Sequence, residues 1–158
     1  MPTLEFQTIL AAPMEKVWAF FQDIEHSLPA LSPPEDQITL EQVDLPVRVG
    51  STIIIRARGP LGAVRWVAKI IEHTPPHAVV FGEEARFVDE QQSGPFKFWQ
   101  HAHELERIDE KSTRVVDRVT YRVPFGPIGW IADWLLVRRK IRRMFRHRTV
   151  AMKKLLEN

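Results

Sequence analysis

The sequence predicts an α+β chain in which a curled antiparallel sheet of about six to seven strands packs against two short helices and one long C-terminal helix. Three observations carry this. From Leu4 to Val123, apolar and polar residues alternate in short runs separated by breaks rich in Gly, Pro and Asp, the pattern of strands joined by hairpins. Near the N-terminus a single stretch, Met14 to Leu31, interrupts that period with helical spacing. Beyond Gly129 there is no further Gly and no Pro, and apolar residues recur at helical spacing to the end.

Leu4 to Leu10 reads as the first strand, with Leu4, Phe6 and Leu10 on one face and Glu5 and Gln7 on the other. Pro13 suits the first turn of a helix, where its missing N–H costs nothing. Val17, Phe20 and Phe21 mark that helix, and a second short one spans about Asp23 to Leu31 before Ser32-Pro-Pro-Glu-Asp36 breaks it. Strands follow at Gln37–Val43, Ser51–Arg58, Ala63–Glu72 and His77–Phe87, with turns predicted at Gly59–Gly62 and Thr74–His77. Gly94-Pro95 then introduces Phe96–Arg107, and Asp109-Glu-Lys-Ser112 turns it into Thr113–Val123. Pro124-Phe-Gly-Pro127 ends the sheet, and one continuous helix is expected from about Trp130 to Leu156.

A sheet of consecutive hairpins curls and must cover one face, and only the last helix is large enough to do so. Where helix and sheet do not meet, a cavity is expected. No linker divides the 158 residues, so one domain over 1–158 is predicted. With no cysteine, thiol chemistry and disulfides are excluded. The N-terminus lacks the basic-then-apolar pattern of a signal peptide, and no apolar run nears the roughly 20 residues that span a bilayer, so a cytoplasmic location is expected.

Charge is unevenly placed. Residues 128–158 hold nine Lys/Arg against two Asp/Glu, a net of +7, while the first 127 residues hold 13 against 18, a net of −5. The outer face of the last helix carries Arg139, Arg142, Arg143, Arg146 and Lys153. A solvated face accounts for them. Contact with a membrane surface is the next reading, since Ile128–Val137 followed by basic residues has the form of an interfacial anchor. Nucleic acid is not expected as a partner, because no binding motif accompanies the basic patch and the remainder is acidic. No Gly-rich phosphate loop is present, and no cofactor is expected.

The stretch Phe96 to Leu105 concentrates the chemistry. Trp99, His101, His103 and Leu105 share one strand face. A three-residue loop at Asp109–Lys111 sets Ile108 opposite Ser112, and Leu105, His103 and His101 opposite Val115, Asp117 and Val119, which keeps every inward residue on one side. His103 then stands beside Asp117, and Tyr121 near Trp99. Three roles remain open for the His103–Asp117 pair: a polar pair that fixes register, a ligand contact, or an acid–base couple acting on an enolisable substrate. His-x-His on a strand can chelate, but no third ligand converges on it by spacing, and no metal is expected. On the last helix, Trp134, Ile141, Phe145, Met152 and Leu155 form an apolar stripe containing Arg148, with Arg138 toward its edge. Arg148 either clamps an anionic ligand group or pairs with a carboxylate such as Asp117.

The order of elements, together with Ala12–Asp23 after the first strand, Gly94-Pro-Phe96 leading into Trp99-Gln-His-Ala-His103, Asp117-Arg-Val-Thr-Tyr121 and the exit Pro124–Pro127, resembles the START-like helix-grip (SRPBCC) superfamily. That superfamily includes polyketide cyclase/dehydrase-type proteins and birch-pollen-allergen relatives. The strand-and-exit block is similar to a bacterial subgroup of ligand-binding START-like proteins. The resemblance spans essentially the whole chain and implies an apolar cavity for a lipid, polyketide or other hydrophobic molecule, without implying catalysis. The expected lining is Trp66, Trp99, His101, His103, Asp117, Val119 and Tyr121 from the sheet, and Ile141, Phe145, Arg148 and Met152 from the helix. The alternative is a cyclase/dehydrase-type enzyme with His103 and Asp117 as acid and base.

Overall fold

The order β1 (Thr3–Leu10), α1 (Met14–Gln22), α2 (Ile24–Leu31), β2 (Thr39–Val43), β3 (Thr52–Gly59), β4 (Gly62–Thr74), β5 (Glu84–Ser93), β6 (Phe98–Asp109), β7 (Ser112–Arg122), α3 (Gly126–Ala132) and α4 (Arg138–Leu156) is seen in the computed structural model, which describes residues 1–59, 62–77 and 81–158. Pro60 and Leu61 of the predicted Gly59–Gly62 turn, and 78–80 of the predicted His77–Phe87 strand, lie outside the described residues.

The seven strands form one antiparallel sheet in the order β1-β7-β6-β5-β4-β3-β2. This is the helix-grip architecture. Hairpin connections account for the run from β2 to β7. The N-terminal strand breaks the sequence by pairing with β7, so that Phe6 lies opposite Asp117 and Leu4 opposite Val119. That pairing brings β1 beneath α4, where Phe6 and Phe145 stack at 4.3 Å and Thr8 and Thr149 share a 3.0 Å hydrogen bond.

The β6–β7 register is the one the alternation requires: His103 lies opposite Asp117, His101 opposite Val119 and Trp99 opposite Tyr121. The turn itself is tighter than predicted. Asp109, not Ile108, lies opposite Ser112, and the register shift between Arg107 and Asp109 absorbs the extra residue. β5 also differs from expectation. It runs Glu84–Ser93 rather than His77–Phe87, with Ala85, Phe87 and Asp89 opposite Leu105, His103 and His101. The local sequence hid this because Val88, also buried, interrupts the alternation where β4 and β5 shift register.

The C-terminal helix is neither uniform nor begun at Trp130. α3 starts at Gly126, and Asp133–Val137 forms a π-helical turn before α4. Gly129 permits the start: a Cβ there would lie 1.8 Å from the Pro124 carbonyl oxygen. A π turn holds one residue more than an α turn, so the inward face steps back by one position. Asp133 is therefore buried, accepting a 2.6 Å hydrogen bond from the Tyr121 hydroxyl and a 3.1 Å bond from Arg138 Nε. Trp134, predicted inside the stripe, is 69% exposed. Leu155 is also exposed, with Leu156 buried in its place, whereas Ile141, Phe145, Arg148 and Met152 face inward.

Two apolar clusters fill the space between sheet and helices. One joins α1, α2 and the far end of α4 to the sheet through Met14, Val17, Phe21, Phe87, Leu105, Val115, Met152 and Leu156. The other joins Trp99, Val119, Tyr121, Ile141 and Phe145, with Trp66, Phe96 and Met144 packed partly buried against it.

Candidate functional site

His101, His103, Asp117 and Arg148 converge on the concave sheet face between these clusters. The strand pairing sets both imidazoles within reach of Asp117: His101 Nε2 lies 2.9 Å and His103 Nδ1 3.1 Å from Asp117 Oδ1. Arg148 descends from α4 and donates from Nε to Asp117 Oδ2 at 3.0 Å, with Nη2 3.1 Å from His103 Nδ1. A guanidinium can only donate, so His103 Nδ1 accepts and its proton sits on Nε2. His103 Nε2 then donates to Asp89 Oδ2 at 3.2 Å, and His101 Nδ1 lies 3.9 Å from the same oxygen.

Aromatic rings fix the group in place. Phe87 stacks on His103 at 4.0 Å, Phe145 meets His101 edge-on at 5.2 Å, and the Arg148 guanidinium lies over Phe21 at 5.0 Å. Burial, and then the neighbouring His103, push the His101 imidazole down to about 4, so it is neutral at pH 7. Burial alone would raise the Asp117 carboxyl. The Arg148 guanidinium and the hydrogen bond from His101 outweigh it and hold that group well below the usual carboxylate range. Arg148 is thus an ion-pair partner of Asp117, and any anionic ligand would share it with that carboxylate.

The expected lining residues do come together, divided between the two packed clusters and the polar group that lies between them. Trp66, Trp99, Val119, Tyr121, Ile141 and Phe145 belong to a single cluster, with Trp66 and Trp99 edge-to-face at 5.0 Å and Phe96 4.8 Å from Trp99. Met152 belongs to the other cluster, beyond the polar group. The Tyr121 hydroxyl is directed to Asp133, and burial followed by that hydrogen bond raises its pKa. Two concave pockets lie elsewhere. One, of about 170 Å³, is lined by Glu84, Arg86, Glu104 and Arg114 of β5–β7. The other, of about 260 Å³, is lined by Lys97, Arg122, Phe125 and Trp130 near the start of α3. Asp89 was not foreseen, because the predicted strand stopped at Phe87. Extending the inward series Ala85, Phe87 by two residues would have found it.

Solved structures share this fold. A START superfamily protein from Mycobacterium smegmatis aligns with a TM-score of 0.69 at 14% identity, covering 98% of this chain and 97% of that one. The di-domain ARO/CYC protein BexL from the BE-7585A biosynthetic pathway aligns at 0.68 and 20% identity, over 98% of this chain and 46% of its own. A norcoclaurine synthase point mutant from Thalictrum flavum, in complex with a transition state analogue, aligns at 0.64 and 14% identity, over 98% and 92%. No curated protein matches the sequence. A family model described as polyketide cyclase / dehydrase and lipid transport, however, matches residues 1–157. With that match running the length of a curled sheet closed on a C-terminal helix, the chain belongs to the polyketide cyclase / dehydrase and lipid transport family.

Proposed function

We propose that this protein binds a small hydrophobic molecule, a lipid or a polyketide-like or aromatic compound, against the aromatic end of its concave sheet face. The observation that carries this is the half-buried pair Trp66 and Phe96, which flank buried Trp99 beside a fixed polar group. Large aromatic side chains left partly uncovered at the edge of a core are suited to apolar contact, while one or two polar groups orient the ligand. Val119, Ile141 and Phe145 would form the floor, and His101, His103, Asp117 and Arg148 the polar rim. Family membership supports both this reading and the rival one, a cyclase or dehydrase in which His103 and Asp117 exchange a proton with substrate.

Native mass spectrometry of freshly purified protein, followed by titration with a fluorescent fatty acid, tests the proposal. A co-purifying apolar molecule, and probe affinity weakened about tenfold or more by Trp66→Ala, are expected. An empty protein whose probe binding is the same in wild type and Trp66→Ala would overturn it. Turnover lost in His103→Ala with ligand affinity retained would select the enzyme.

A specific observation favours membrane docking as a second activity. Phe125, Ile128, Trp130, Trp134 and Leu136 are between 68% and 82% exposed, and exposed Arg139, Arg142 and Arg143 follow them. Adjacent apolar and basic groups suit the interface of an anionic bilayer. Sedimentation with phosphatidylserine vesicles that is salt-sensitive, and that Trp130→Ala/Trp134→Ala abolishes, is the expected result. Absence of sedimentation removes this activity. Among the described residues no helix is long and apolar enough to cross a membrane.

A further inference from the structure

We propose that Asp89, His101 and His103 form a binding site for one divalent first-row transition ion of the zinc class. The facing donor atoms, Asp89 Oδ2, His101 Nδ1 and His103 Nε2, belong to three side chains whose ligand atoms lie within 4.8 Å of one another. Asp89 Oδ2 is 3.2 Å from His103 Nε2 and 3.9 Å from His101 Nδ1. Metal–ligand bonds of about 2.0–2.2 Å imply donor–donor edges of roughly 3–3.5 Å, so the Asp89–His103 edge already fits and His101 must approach for the triangle to close.

The surroundings are those of a supported site. Ligating imidazoles need their far nitrogens held, and here both far nitrogens, His101 Nε2 and His103 Nδ1, lie 2.9 and 3.1 Å from one oxygen, Asp117 Oδ1. Arg148 in turn holds the other Asp117 oxygen. Two carboxylates, Asp89 and Asp117, share this group with one guanidinium, Arg148, a composition suited to a cation. Two nitrogens and one carboxylate in an aromatic shell suit zinc, cobalt or iron better than calcium or magnesium, which require more oxygen donors. Asp89, the least buried of the three, gives access from solvent.

Coordination requires one tautomeric change. The His103 proton passes from Nε2 to Nδ1, which then donates to Asp117 Oδ1, and Arg148 Nη2 releases Nδ1. No proton is gained or lost overall. Three protein ligands leave at least one position open, where an oxygen of a bound molecule could sit.

The inference is independent of the proposed hydrophobic ligand, because its test contains none. Metal-stripped full-length protein is titrated with Zn²⁺ by calorimetry and with Co²⁺ by visible absorption and proton NMR. One equivalent should bind, and the Co²⁺ form should show two paramagnetically shifted, exchangeable imidazole N–H signals. Asp89→Asn should abolish uptake, and Asp117→Asn should weaken it about 10- to 100-fold. His26→Ala, which removes the exposed His26–Asp23 pair, should leave it unchanged. If Asp89→Asn does not fold, the two shifted signals of the wild type decide the matter. No stoichiometric uptake, fewer than two such signals, or binding lost with His26→Ala would overturn the proposal.

Discussion

Arg107 and Arg148 are both buried beneath the helices, at 2% and 9% exposure, and each meets acidic side chains, but their companions differ in kind. Arg107 on β6 bonds Glu83 at 3.0 Å and Glu15 of α1 at 3.2 Å. Arg148 on α4 bonds Asp117, but two imidazoles share that carboxylate. The Arg107 group is built of a guanidinium and carboxylates, with an imidazole only at its rim, where exposed His77 lies 3.9 Å from Glu83. Imidazoles can donate or accept through either ring nitrogen, so the Arg148 group can rearrange its hydrogen bonds. One group acts as a fixed clamp between α1 and the sheet. The other has the adaptable chemistry expected of a site.

The largest effect should come from breaking the fixed clamp. Arg107→Met leaves the Glu83 carboxylate in the interior without its guanidinium, and should cost about 3–5 kcal/mol in urea unfolding. A loss below about 1 kcal/mol would show that the two arginine groups do not differ as described.

Acid should reveal the adjustable group next. His101 is held neutral at about 4, below the ordinary imidazole value of 6.5, so the unfolded chain binds a proton that the folded protein refuses. Stability of metal-free protein should therefore be full above pH 6.5 and fall as pH drops toward 4, by up to about 3 kcal/mol. Below that range, protonation of Asp117, whose folded pKa is also depressed, continues the loss. His101→Gln should flatten the upper part of this profile. A profile unchanged by that substitution would assign the acid sensitivity elsewhere.

The smallest effect sharpens the contrast most. Arg148→Met removes the same kind of charge as Arg107→Met, yet an imidazole beside Asp117 can protonate in its place. At pH 6 the cost should be only about 1–2 kcal/mol, less than for a pair with no substitute charge. If an imidazole takes over the charge, unfolding measured at pH 6 and pH 8 should show the larger cost at pH 8. A cost independent of pH would mean that no imidazole compensates.

Much of the polar group is legible in the sequence. The period-two pattern placed Trp99, His101 and His103 on one face, and the requirement that inward residues stay inward set them against Tyr121, Val119 and Asp117. Helical spacing likewise placed Arg148 among Ile141, Phe145 and Met152. Asp89 was lost because bulged pairing of β4 with β5 interrupts the alternation that would have extended the strand. Trp134 was misplaced because constant helical spacing carries no sign of the π turn at Asp133–Val137.

By itself the sequence determined the fold class, the order of elements and the β6–β7 register, because each is written in periods that neighbouring residues share. Only the tertiary structure decided which third side chain completes the His101–His103 pair, how Arg107 reaches Glu15 across 92 positions, and which aromatic rings of the last helix remain outside. Those depend on sheet curvature, strand bulges and helix rotation, which are set by packing among several elements at once and leave no period in any one of them.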